Sequence, residues 1–175
     1  MKNIRHDLIF PTQLAFGVFF LKLFGDVRKA RADFEALEHC PDGTIGQGIW
    51  QMLNGGQYEP VPFYEKHDLK HVLLGYPPAA CDEMRMQAFM FGNAGFSLSS
   101  LVMFGMFVVW TPEVWLELPY HFRVGQLTKP VGDWEIADFK NKKVSELRLE
   151  IGLDRAHELA RLEFLGAFER RVLPG

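Results

Sequence analysis

Apolar positions recur every three or four residues along most of this chain, and no stretch alternates strictly between apolar and polar. That period predicts helices and offers no strand. Helical spacing runs from Leu14 to Phe24, and "DVRKARADFEALEH" continues it with strong helix formers, giving two helices or one that bends near Gly25. "CPDGTIGQGIWQMLNGG" offers Asp42 or Thr44 as an N-cap and closes on Gly55 and Gly56, so it predicts a short helix with a defined start and stop. Pro60 and Pro62 forbid a long helix in the loop that follows. A short helix is predicted over His67–Leu74, a break at Gly75, Pro77 and Pro78, and a resumption around Ala79, which together make a helical hairpin. After Pro112 four more segments have amphipathic helical texture: "PEVWLELPYHFRVGQL", "DWEIADF", "KVSELRLEIGL" and "AHELARLEFLGAFERRV". The fold class expected is all-α, a compact multi-helix domain.

Between Arg85 and Glu113 lie 27 residues without a charge. The run is long enough to span a bilayer, but Gln87, Asn93, Ser97, Ser99, Ser100 and its glycines dilute it. The expectation is a helix buried on all sides. At the amino terminus, Pro11, Gln13 and Lys22 interrupt an apolar run that no small-residue cleavage site follows, so the segment reads as mature protein.

With 175 residues, 48% of them hydrophobic, the chain can bury a core without disulfides, and one domain is expected. A formal charge of −3 provides no basic stripe for a phosphate backbone, which argues against nucleic-acid partners. Cys40 and Cys81 form no CxxC pair and fit a reducing compartment. Sixteen phenylalanines and seven methionines can fill a core, and they can also line a pocket for a flexible hydrocarbon. The aromatic excess makes a homodimer reasonable.

The chemistry is concentrated in "KHDLKHVLLGYPPAACDEM", residues 66–84. Side chains at i and i+4 share a helix face, so His67 and His71 can present imidazole nitrogens to one cation. A zinc-like ion needs at least a third donor at about 2.0–2.2 Å. Glu83 is the candidate, because the turn at Gly75–Pro78 folds a second helix back toward the first. Asp68 lies about 100° around the helix from His67. It is open to three roles: fourth ligand, support for an imidazole, or proton acceptor. The alternative for the two histidines is a solvated, hydrogen-bonded pair. Two imidazoles with carboxylates accept zinc, iron, manganese or cobalt, and zinc is the default. Asp68 stands where zinc proteases of the HExxH type carry glutamate, so protease activity is not expected. His6, His39 and His157 read as surface residues, His121 as a structural histidine or one facing a pocket, and Cys81 as a small buried hydrophobe.

The pattern His67-Asp68-x-x-His71, then eleven residues and Glu83, resembles the signature of the coenzyme Q biosynthesis protein of the fourth Coq class. Similarity extends upstream through "GTIGQGIWQMLN" and downstream through Arg123, Gly125, Trp134, Glu135, Arg148 and Ile151, so it covers roughly residues 10 to 153. Asp82 departs from the glycine usual before the glutamate, the chain is shorter than most members, and its first residues are not expected to act as a mitochondrial presequence. The resemblance implies an all-helical, membrane-surface protein with a long isoprenoid chain in an apolar groove and a divalent metal near its polar head. It also implies replacement of the C1 carboxylate of a polyprenylated benzenoid precursor by hydroxyl, with His67, Asp68, His71 and Glu83 as metal-ligating and catalytic residues. A role in organising other ubiquinone-biosynthesis proteins belongs to the same expectation, as does a cytoplasmic, peripherally membrane-associated location. On this reading the uncharged run from Met86 to Val109 forms the wall for the prenyl tail. The competing reading is a lipid-binding scaffold without catalysis, and the third is a helical protein with no site.

Overall fold

The computed structural model describes residues 26–172 apart from 57, 63, 64, 97–99, 102, 103, 106, 107 and 110, with side chains described as far as residue 166. The expected helix over Leu14–Phe24 lies outside the described residues. All regular structure with defined bounds among those described is helical, as the periodicity predicted: α1 Val27–Glu35, α2 Ile45–Gly55, α3 Glu65–Leu74, α4 Ala80–Ala94, α5 Leu118–Leu127, α6 Ile136–Phe139, α7 Val144–Ile151 and α8 Leu153–Val172, with short 3-10 turns at Ala36–His39 and Pro112–Val114. The chain divides into two compact units, Met1–Ala80 with Trp134–Leu147, and Cys81–Asp133 with Arg148–Gly175.

In the first unit, α2 is central. Its N-cap is Thr44, whose hydroxyl accepts from the Gln47 amide and donates to the Pro41 carbonyl at 2.7 Å. Ile45, Ile49 and Leu53, one turn apart, form the buried stripe. The loop after α6 crosses the start of this helix: Ile45 donates to Lys142 O, Gly46 to Lys140 O, and Val144 to Gly43 O. Gly46 permits that crossing, because a Cβ there would stand 2.9 Å from the Lys140 carbonyl oxygen. Trp134 and Phe139 stack with ring centroids 4.0 Å apart. On α3, Leu69 and Leu73 are fully buried, one turn apart. The segment expected to run as one helix to His39 leaves the α-helix at Glu35 and finishes as a 3-10 turn.

In the second unit, α4 and α5 approach backbone to backbone at Gly92 and Gly125, and α5 also packs on α8. Asn93 ties the loop after α5 to α4: its amide donates to the carbonyls of Gly125, Thr128 and Lys129, and its oxygen accepts from the Val131 amide at 2.8 Å. Arg123 and Glu163 form a two-pronged pair at 2.8 and 2.9 Å.

The long uncharged run is not one buried helix. Helix α4 stops at Ala94, where Gly95 takes φ +81°, and beyond it Phe96, Leu101 and Val109 are exposed. Lack of charge did not report burial here, because a left-handed glycine redirects the chain. No helix among the described residues is long and apolar enough to cross a membrane.

Candidate metal centre

Helix α3 carries His67 and His71 on one face, and their rings meet edge to face with centroids 4.5 Å apart. His71 is buried. Its Nδ1 lies 2.7 Å from the Tyr76 carbonyl oxygen, and since a carbonyl can only accept, Nδ1 carries the hydrogen and Nε2 the lone pair. That contact depends on the turn. Gly75, at φ +79°, donates to the His71 carbonyl, and Ala79 donates to Pro77 O, which curls the chain so that Tyr76 O returns over the imidazole. A ring nitrogen fixed by a backbone carbonyl is the usual arrangement for an imidazole that ligates through its other nitrogen. No residue type signals this contact, because any residue at position 76 offers a carbonyl.

Glu83 stands on the first turn of α4, where the hairpin reading placed it. His67, His71 and Glu83 each offer one ligand atom, and these atoms all lie within 4.8 Å of one another. Donors sharing one tetrahedral ion at 2.0–2.2 Å are about 3.4 Å apart. Two imidazoles and one carboxylate also match the three-protein-ligand sets of zinc sites that leave a coordination position open.

Asp68 does not join the three. Its Oδ1 is 3.9 Å from His67 Nδ1, and its side chain lines a cavity of about 260 Å³ inside the first unit. That cavity is walled by α1, α2, α3, α6 and the segments joining them. No described residue of the Met86–Val109 run lines it. Outside the hairpin, His121 is buried and its pKa falls to about 4, chiefly by desolvation, then by the Arg85 guanidinium and His157. Asp82 and Glu117 hold Arg85 at 2.7 and 2.8 Å. His157 is not a free surface residue: it is half-buried with its Nδ1 2.9 Å from Tyr120 Oη. Cys81 is half-buried and donates to Glu113 at 3.6 Å.

No protein-family model matches the chain. It is 30% identical over 101 residues to the mitochondrial ubiquinone biosynthesis protein COQ4 of Ajellomyces capsulatus, a match that covers 55% of this chain and 36% of that protein. Over that stretch the chain is similar to COQ4. It thus spans about a third of the length of the curated relative it matches. The chain also shares its fold with a crystal structure of a candidate ubiquinone biosynthesis protein from Nostoc punctiforme PCC 73102: TM-score 0.53, 22% identity, 79% of this chain and 80% of the other covered.

Proposed function

We propose that this Coq4-like chain is a metal-dependent protein of ubiquinone biosynthesis that binds a polyprenylated benzenoid precursor and promotes exchange of its C1 carboxylate for hydroxyl. The observation that carries the reading is the approach of two imidazoles and one carboxylate, with His71 already held in its ligating tautomer. His67, His71 and Glu83 would hold the ion. A divalent ion bound there supplies Lewis-acid neutralisation of a ring carboxylate and phenolate. The chain's own groups do the rest. Tyr76 O keeps the His71 hydrogen on Nδ1, and the Asp68 carboxylate, 3.9 Å from His67 Nδ1, can orient that imidazole. The carboxylate leaves as carbon dioxide. One atom of dioxygen becomes the new hydroxyl oxygen, and the other leaves as water with two electrons from an added reductant.

The tail contributes affinity through burial, at about 0.8 kcal/mol per methylene. Association with a membrane surface follows from the need to take such a lipid from a bilayer, and exposed Trp115, Leu116, Leu162 and Leu165 supply apolar surface for it. The experiment supplies a prenylated hydroxybenzoate, zinc or iron, dioxygen and a reductant to the purified chain, and measures release of carboxyl-labelled carbon dioxide. Turnover that disappears in His71→Ala while tail binding survives supports the enzyme. Lipid retention without any product assigns the chain instead to the scaffold class, a carrier that organises other ubiquinone-biosynthesis proteins.

A further inference from the structure

The cavity lined by Asp68 has a composition and size of its own. Its walls are mostly apolar and come from five elements of the first unit, with Leu37, Ile49 and Leu53 among the most buried. Its polar lining is three carboxylates, Asp33, Glu65 and Asp68, against one amine, Lys140. An apolar cavity of about 150 Å³ is enough to take up benzene from water. At about 260 Å³ this one has room for a single ring with one or two small substituents.

Charge then selects the occupant. A carboxylate or phosphate brought into this space meets a net excess of negative charge, of which the Asp68 carboxylate is the least screened by solvent. A hydroxyl hydrogen meets acceptors. Asp68 is the acceptor of choice, because only 15% of its side chain is exposed and a hydrogen bond to it is therefore charge-assisted and shielded from water. Glu65, one turn earlier on α3, is also half-buried, whereas Asp33 and Lys140 are exposed.

We infer that this cavity is a binding site for a small, uncharged, hydroxyl-bearing apolar molecule, a phenol or a compact alcohol, whose hydroxyl donates to Asp68. The site stands on the first unit alone and uses none of the three metal donors. An occupied cavity would place the ligand's hydroxyl on the carboxylate that borders His67.

The test uses the full chain stripped of metal with chelator, so that its outcome is independent of whether the histidines bind an ion. p-Cresol and p-toluate, matched in size and differing in head group, are titrated separately while amide resonances are followed by NMR. Saturable p-cresol shifts confined to residues of α1, α2, α3 and α6, with p-toluate at least tenfold weaker at pH 7, are the expected result. Ala137→Leu, which adds volume at the exposed rim of the cavity on α6, should weaken p-cresol at least fivefold, and Ala30→Leu from α1 should do the same. Equal or tighter binding of p-toluate, absence of saturable p-cresol shifts at millimolar concentration, or affinity unchanged in both folded variants overturns the assignment.

Discussion

Replacing Gly125 with alanine isolates what holds α4 against α5. A Cβ at Gly125 would stand 2.0 Å from the Phe89 carbonyl oxygen and 3.1 Å from the Asn93 nitrogen; reciprocally, one at Gly92 would stand 2.0 Å from the Phe122 oxygen and 3.1 Å from the Gln126 nitrogen. The obstacle in each case is helix backbone, which cannot swing aside as a side chain would. Relief requires the two helices to separate by about an ångström or more, and such overpacking costs roughly 1–3 kcal/mol. Separation also stretches the bonds from Asn93 on α4 to the carbonyls of Gly125, Thr128 and Lys129, adding about 1–3 kcal/mol for polar groups left poorly paired. Opposing this, alanine in a helix is favoured over glycine by about 1 kcal/mol. The net expectation for Gly125→Ala is a loss of about 1–5 kcal/mol, set against the roughly 5–15 kcal/mol of a typical domain. Urea denaturation followed by circular dichroism measures it, with Gly55→Ala as control, since a Cβ at Gly55 meets nothing within 4 Å and helix propensity alone acts there. Gly125→Ala as stable as the parent, or more stable, would refute the reciprocal close approach.

Asn93→Ala should cost about 2–4 kcal/mol and should raise the hydrogen-exchange rate of the Val131 amide, which donates to Asn93 Oδ1; an unchanged Val131 rate would show that another acceptor serves. His121 has a folded pKa of about 4 against an ordinary 6.5, so between those values the unfolded chain binds the extra proton and stability falls as pH falls. From pH 7 to pH 5 the loss attributable to His121 is about 2 kcal/mol, and urea midpoints should show it in the parent and not in His121→Leu.

Much of the fold was readable because the deciding signals are local. Asp42 or Thr44 before an i, i+4, i+8 apolar stripe bracketed the start of α2, which is capped by Thr44, and Gly75 with Pro77 and Pro78 marked the break between α3 and α4. The spacing of His67 and His71 on a single helix required nothing beyond helical geometry. What the sequence did not convey depends on contacts formed by distant residues or on backbone atoms that every residue possesses. Gly95 looked like one diluting residue among several, and only its left-handed conformation ends α4. Gly92 and Gly125 carry no mark of facing each other's helix across 32 intervening positions. Tyr76 acts through its carbonyl, and Asp68 turns into a cavity assembled from segments as far apart as Ala30 and Lys140. His157 read as a surface residue because its partner, Tyr120, lies far upstream.

The proposed metal centre requires His67, His71 and Glu83 to hold one ion together. Native mass spectrometry of the purified chain, before and after addition of a divalent ion, tests it most directly. The account predicts one ion per chain, lost in His71→Ala and in Glu83→Gln and retained in Asp68→Asn. A chain that takes up no ion, or one that keeps full occupancy when either His71 or Glu83 is replaced, contradicts it.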